Sequence, residues 1–315
     1  MPATLSSPPV NSTNVRFMFQ TLMQRAAMRA SSALTPDLAG AWAERLFLTP
    51  PKPRYPDSSF FDLIDAHQSF VPYKGRLIST WRWGARGVDD EQPAVLLSHG
   101  WGGNATQLRG FVFYLAGAGY RVIAYDQPAH GLSEGRLSGL PDFAGALREV
   151  AMHHGGVRAI IGHSLGATAA AFAISRGLQV ERTVLLSPPA DIVAYSRRFA
   201  RWHSIPERVR GAMQAAIEER YGVAWADLEV SRLAPALTAQ ALVIHDRDDR
   251  MVPLAQGEKF ARLWPGARLL TTQGLGHNRI LQDEPVWRAA VDFIAGRSAV
   301  ANIAAPAHPM PAPLY

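Results

Sequence analysis

The chain has 315 residues, 48% of them hydrophobic, no cysteine and a formal net charge of +6. That length and apolar content suffice for one large core, and the missing cysteines exclude disulfides, thiolate metal sites and a cysteine nucleophile. The positive excess comes from arginines scattered along the chain, with Lys52, Lys74 and Lys259 the only lysines, so no recognition stripe for nucleic acid is expected.

Residues 1–14 are rich in Ser, Pro and Thr and are expected to be disordered. From Val15 onward Phe19, Leu22, Met23, Ala26, Ala27 and Ala30 recur at helical spacing, opposite Arg16, Gln20, Gln24, Arg25 and Arg29. The apolar face of this helix is expected to dock on the folded domain. Because no acidic residue precedes Asp37, peripheral attachment to a membrane surface is the alternative. Arg25 and Arg29 break the hydrophobic stretch too early for a secretory signal. A second helix is predicted over 36–47 behind the cap-like Thr35, and Pro50, Pro51, Pro53 and Pro56 mark a linker that closes an N-terminal extension over 15–60.

Two strand-like stretches, 67–71 and 76–83, separated by residues 72–75, predict a hairpin at a sheet edge. Residues 94–97 are continuously apolar, which requires burial of both faces and starts the parallel interior of a sheet. A Gly-rich turn, His99-Gly100-Trp101-Gly102-Gly103, follows, then a helix to Ala116 capped by Asn104 and a strand over 121–125. Next come a helix over 140–154 and strands over 157–161 and 183–186. The alternation then stops. Ile192, Tyr195, Phe199 and Trp202, then Val209, Met213, Ile217 and Tyr221, predict two amphipathic helices in an insertion over 189–235. Strand 241–245, helix 254–264, strand 267–271 and helix 285–294 complete a core of residues 61–188 and 236–296, and the Ala/Pro-rich tail, 297–315, is expected to be disordered. No uncharged apolar run reaches the roughly 18 to 20 residues of a membrane-spanning helix, and a cytoplasmic setting is expected.

The chemistry centres on Gly162-His163-Ser164-Leu165-Gly166, which joins an apolar strand to a helix rich in alanine. A tight turn in that context projects its central side chain above the sheet, and the crowding leaves room only for hydrogen at Gly162 and Gly166. The helix that follows turns its positive dipole end toward Ser164. Later in the chain stand the acidic run Asp246-Arg247-Asp248-Asp249 and, just after the last predicted strand, Gly274-Leu275-Gly276-His277. The pair His153 and His154 is not spaced to bind a metal on one helical face and reads as a solvated helix end. With no phosphate-binding Gly loop and no dinucleotide fingerprint, neither cofactor nor metal is expected.

The order serine elbow, acid, histidine resembles the α/β-hydrolase superfamily over residues 65–296. The resemblance implies an α/β-hydrolase fold: a mostly parallel central sheet, helices on both faces, and the insertion as a cap over the elbow. It implies Ser164 as nucleophile and His277 as general base. Asp249-Arg250-Met251-Val252-Pro253 is similar to the family's D-x-x-V-P segment, which selects Asp249 as the orienting acid. The family usually has Gly where Asp246 stands, so Asp246 and Asp248 compete for the role; they are expected to be solvated or paired with Arg247 and Arg250. The oxyanion donors implied are the backbone N–H groups of Leu165 and, from the H-G-x type of loop, Trp101. The stretch 126–133 resembles a structural family loop, D-x-P-G-H-G-x-S, with Ala129 replacing a Gly.

The function this implies is cofactor-independent hydrolysis of an ester-like acyl bond through an acyl-enzyme, of carboxylesterase, lipase or thioesterase type, with a small acyl compound as partner. A serine at the elbow argues against the dehalogenase and epoxide-hydrolase branches, which use Asp. Acyl transfer and carbon–carbon hydrolysis use the same machinery and stay open. From another class, the alternative is a catalytically silent scaffold that binds a ligand or partner.

Overall fold

The computed structural model describes residues 12–51, 66–84 and 92–297, with backbone alone for 12–20. The expected disorder at 1–11 and 298–315, and most of the Pro-rich linker, lie outside the described residues. Residues 12–14, expected to be disordered, open a helix instead. The chain divides into two compact units, Leu48–Ile192 with Ala226–Tyr315, and Met1–Phe47 with Val193–Trp225.

The larger unit is built on an eight-stranded sheet: β1 His67–Tyr73, β2 Arg76–Trp83, β3 Ala94–Ser98, β4 Arg121–Tyr125, β5 Ala159–His163, β6 Arg182–Leu186, β7 Gln240–Asp246 and β8 Arg268–Thr272. Their spatial order is β1-β2-β4-β3-β5-β6-β7-β8. β1 and β2 pair antiparallel, β2 joins β4 antiparallel, and every later pairing is parallel. The hairpin occupies the edge, where Pro72 is tolerated because an edge strand leaves one row of N–H groups unused. Its turn is shorter than expected. Lys74 and Gly75, at φ 47° and 71°, form a two-residue loop of the kind that matches strand twist.

The helices longer than two turns among the described residues are α1 Ser12–Leu34, α2 Pro36–Leu48, α3 Arg109–Gly117, α4 Leu140–His153, α5 Leu165–Ser175, α6 Ile192–His203, α7 Glu207–Tyr221, α8 Leu254–Leu263 and α9 Glu284–Ile294. One face of the sheet buries Val95, Leu97, Val122, Ile161, Val184 and Ile244 against Phe111 and Leu115 of α3 and Val286 and Ile294 of α9. Period-two alternation sends Leu96, Ile123, Ile160, Leu185 and Val243, all fully buried, to the opposite face, where α4, α5 and α8 pack. Asn104 caps as expected, its side chain accepting from Thr106 N, but it caps a short 3-10 turn, Ala105–Leu108, that leads into α3. β5 starts and ends two residues later than the apolar pattern indicates, because Gly162 and His163 still pair with Leu185 and Leu186.

The smaller unit joins α1 and α2 to the inserted helices α6 and α7. Phe47 is its hub, with the rings of Tyr195, Phe199 and Trp225 at 5.9, 5.0 and 5.6 Å. At Gly40 helix α2 lies close to α7, where a Cβ would stand in ordinary contact, 3.5 Å, with that of Ala212. Arg210, buried between α6 and α7, donates to Glu207 Oε1 at 2.8 Å, Ser196 Oγ at 3.2 Å and Gln214 Oε1 at 2.9 Å. Three acceptors satisfy a guanidinium that would otherwise be costly to bury.

Here α1 departs from expectation. The face it buries carries Met28 and Ser32, whereas Leu22, Met23, Ala26, Ala27 and Ala30 are exposed. The reason is polar. Arg25 Nε donates to the Trp202 carbonyl at 2.6 Å with its guanidinium 5.0 Å from the indole centroid, and Arg208 donates to the Ser32 carbonyl at 3.4 Å. α6 and α7 thus offer α1 a carbonyl, a cation and an indole face, and these select its arginine edge. No helix among the described residues is long and apolar enough to cross a membrane.

Candidate active site

Strand β5 runs through the middle of the sheet into Ser164, whose backbone takes φ 51° and ψ −123°, a conformation that L-residues avoid and that persists only when its surroundings enforce it. The surroundings are visible. Ser164 N donates to the Leu186 carbonyl at 2.8 Å, and the Ser164 carbonyl accepts from Ala167 and Thr168 in the first turn of α5. A Cβ on Gly166 would fall 2.3 Å from the His99 carbonyl oxygen, and one on Gly162 would fall 2.6 Å from Ala167 Cα. Both glycines are therefore required by contact. Leu165 is the first residue of α5, so its N–H has no acceptor within the helix.

The acidic run follows β7, and its three carboxylates have three different environments. Asp249 is buried; its Oδ1 accepts the backbone N–H groups of Met251 and Val252 at 2.9 and 2.8 Å, and its Oδ2 stands 2.7 Å from His277 Nδ1. Burial alone would push this carboxyl up, but the nearby His245 ring and the bonds from His277 and Val252 hold it well below the usual carboxylate range. Asp246 is fully buried as well. It accepts from Thr272 Oγ1 at 2.6 Å, Leu275 N at 3.1 Å and Asp248 N at 2.9 Å, and these bonds outweigh burial and lower its pKa. Asp248 is exposed and accepts from Gly274 N at 2.9 Å. The expected solvation holds for Asp248 and is corrected for the buried Asp246; both brace the loop that carries His277, because unpaired backbone N–H groups there need acceptors.

His277 lies on a one-turn helix, Gly276–Arg279, after β8, and is 8% exposed. With Nδ1 facing a carboxylate, the ring's proton belongs on Nδ1, which leaves Nε2 able to accept one. Two further histidines hold this pair. His163 Nε2 donates to the His277 carbonyl at 3.0 Å, its ring 4.7 Å from that of His277. His245 Nε2 donates to the Val252 carbonyl at 2.8 Å and stands 3.6 Å from Asp249 Oδ2; Gly257 of α8 gives its ring room, since a Cβ there would meet Nδ1 at 2.3 Å. Sequence reasoning missed both. His163 fills an unconstrained position of the elbow and His245 an apolar strand, so no local signal marks either.

The turn after β3 packs on the elbow. A Cβ on Gly100 would lie 3.0 Å from Ser164 Cβ. His99 Nε2 accepts from Gln127 N at 2.9 Å, so its Nδ1 carries the proton and donates to the Gly100 carbonyl at 2.7 Å. That carbonyl also accepts from Gly103 N at 3.1 Å, and Gly100 N donates to Gln107 Oε1 at 3.2 Å. Gly100 is thus held at both its N–H and its carbonyl, and that carbonyl belongs to the peptide leading into Trp101. The Trp101 indole stacks on Phe143 at 6.1 Å and meets His130 edge-on at 5.1 Å. In the adjoining loop Ala129 adopts φ 67°, the conformation that the family's usual Gly takes without strain, and Asp126 accepts from Ala105 N and Leu132 N at 2.7 Å each. That loop is structural, as expected. Of the other histidine pair, His153 is exposed but His154 is half-buried at the helix end, which corrects its expected solvation.

Burial and the neighbouring His130 hold His99 well below its ordinary pKa; burial lowers His130 to about 4; burial and the nearby His277 lower His163 to about 3. Each folded-state value lies below the unfolded one of about 6.5, so the unfolded chain alone binds the proton in between, and stability is lost as pH falls through that window. Each such histidine removes about 1.4 kcal/mol of stability per pH unit below 6.5. The melting temperature is therefore expected to drop steeply between pH 7 and pH 5. A melting temperature flat over that interval, by differential scanning calorimetry, refutes this account of the three buried rings.

Ser164, Asp249 and His277 follow the carboxyl ends of β5, β7 and β8, and the Trp101 turn follows β3, so parallel pairing brings all four to one sheet edge. Residues 94–291 match the family model described as the Alpha/beta hydrolase family. The fold is similar to that of an esterase from Pyrococcus furiosus, with 20% identity, a TM-score of 0.61, and coverage of 79% of this chain and 99% of that one. It is also similar to a thermophilic esterase from Thermogutta terrifontis, with 20% identity, a TM-score of 0.56 and coverage of 74% and 99%. A proline iminopeptidase from Mycobacterium smegmatis has 17% identity, a TM-score of 0.55 and coverage of 73% and 98%.

Proposed function

The chain belongs to the alpha/beta hydrolase family, and on that premise we propose that it is a serine hydrolase cleaving an ester-like acyl bond through an acyl-enzyme. One observation carries this reading: a buried His277–Asp249 contact of 2.7 Å on the same sheet edge as a serine held at φ 51°. A histidine so paired has its tautomer set for taking a proton at Nε2, and a serine so strained has its hydroxyl aimed off the sheet.

The steps follow from those roles. As Ser164 Oγ bonds to the acyl carbon, its proton passes to His277 Nε2 and the carbonyl electrons move to oxygen. The backbone N–H groups of Leu165 and Trp101 donate to that oxyanion. Collapse breaks the bond to the leaving group, which takes the proton from Nε2. Water then repeats the sequence on the acyl-enzyme, releasing the acid and restoring the serine. Asp249 remains ionised throughout, as its depressed pKa requires, and its charge stabilises the imidazolium. His163 and His245 act as positioning residues through the His277 and Val252 carbonyls.

A fluorophosphonate probe tests the reading, because it reacts only with a serine activated in this way. Labelling should map to the peptide containing Ser164, with turnover of an activated ester in the same preparation. Folded protein that neither labels nor turns over is the silent scaffold, and the proposal fails.

A further inference from the structure

The smaller unit has an apolar surface and a charge bias to which the proposed mechanism assigns no role. Of the twelve exposed large hydrophobic side chains among the described residues, six lie in this unit: Leu22, Met23, Leu34, Leu38, Tyr195 and Trp202. Leu22, Met23 and Leu34, at 54, 56 and 82% exposure, share one side of α1 with exposed alanines at 26, 27, 30 and 33. Three turns of helix thus present apolar groups to solvent while the buried side carries Met28 and Ser32. Polar contacts of Arg25 and Arg208 fix this orientation, and they leave the apolar side in water.

The arginines look scattered in the sequence, but the fold collects their excess. The segments Met1–Phe47 and Val193–Trp225 contain ten basic and five acidic residues, a net +5 out of +6 for the whole chain. Of the acids, Glu44 and Glu207 are paired within the unit, with Arg220 and Arg210. Arg29, Arg197 and Arg201 are exposed. Arg29 emerges among the alanines of the apolar face, and Arg25, over the indole of Trp202, joins that face to the end of α6.

We propose that the smaller unit docks on an anionic lipid surface, with the Leu22, Met23 and Leu34 face of α1 in the headgroup layer and Arg29, Arg201 and Trp202 at its rim. This inference is independent of the chemistry above. Charge complementarity selects the occupant. A second copy would bring a unit of the same net +5 toward this one, whereas an anionic leaflet attracts each arginine near it. Apolar side chains flanked by arginine and tryptophan match the groups that insert at that boundary, where arginine stems lie along apolar surface and keep their charge in water.

Flotation of the full chain with phosphatidylcholine vesicles, and with vesicles containing about one third phosphatidylserine, tests it. Wild type should partition onto the anionic vesicles at least about tenfold more strongly than onto the neutral ones, and less as salt rises. The triple variant Leu22→Ser, Met23→Ser, Leu34→Ser retains every charge and alters only exposed positions; it should lose at least about tenfold in partitioning with unchanged circular dichroism. Arg29→Glu with Arg201→Glu should lose as much. No preference for anionic vesicles, or a triple variant that floats like wild type, overturns the proposal. So does a dimer in sedimentation velocity that the triple variant abolishes, since the face then belongs to a second copy.

Discussion

Ser164→Ala is expected to lower kcat toward an activated ester by roughly 10⁶-fold and to abolish fluorophosphonate labelling, with the fold intact. The fold should survive because the constraints on residue 164 are on its backbone: the bond from its N to the Leu186 carbonyl, and the two bonds to its own carbonyl from α5. Alanine meets the same φ of 51° with no larger side chain than serine has. His277→Ala should fall as far. The double variant should be little worse than either single one, because nucleophile and base act as a unit and removing one leaves the other without a task. Turnover within about tenfold of wild type in Ser164→Ala would falsify the serine-hydrolase reading, while loss of the melting transition would show that the hydroxyl also holds the elbow.

The second large effect separates the three carboxylates. Asp249→Asn preserves shape but presents an amide to His277 Nδ1 at 2.7 Å, which favours the tautomer with its proton on Nε2, where it cannot accept one from serine. A loss in kcat of roughly 10⁴-fold is expected. Asp248→Asn removes charge from an exposed group whose one bond, to Gly274 N, an amide oxygen can still accept, so less than about tenfold, or about 1.4 kcal/mol of barrier, is expected. Asp246→Asn should fall between them. Its two oxygens accept from Thr272, Leu275 and Asp248, and an amide nitrogen can serve none of those donors, so the His277 loop loosens and the melting temperature drops with the activity. Measured at pH 8 on one ester, a large loss in Asp246→Asn or Asp248→Asn with a small one in Asp249→Asn reassigns the acid.

Why Asp249 and its neighbours differ was only partly legible beforehand. The segment ending at Pro253 selected Asp249, and the strand pattern put Asp246 at the end of β7. That Asp246 and Asp248 reach across to the loop at 272–275 depends on the pairing of β7 with β8, a contact between residues about 26 apart in the chain. Likewise Gly162 and Gly166 were legible as glycines an elbow needs, but the atoms that exclude a Cβ at Gly166 belong to Ser98 at the end of β3 and His99 just after it. His163 and His245 had no signature at all. Their partners are carbonyl oxygens, and every residue has one of those.

Local pattern by itself determined the strands, most helices, the elbow and the order serine, acid, histidine, because each depends on spacing within a few residues: period two for strands, 3.6 for helices, hydrogen at two positions of a tight turn. The tertiary structure alone decided which side of α1 faces inward. Its sequence is apolar where the helix is exposed and polar where Arg25 meets Trp202, because the partner surface on α6 and α7 chose the docking face. It also decided where the net charge resides, by folding two segments nearly 150 residues apart into one unit. Amphipathicity states that a helix has two faces; only its neighbours determine which one is buried.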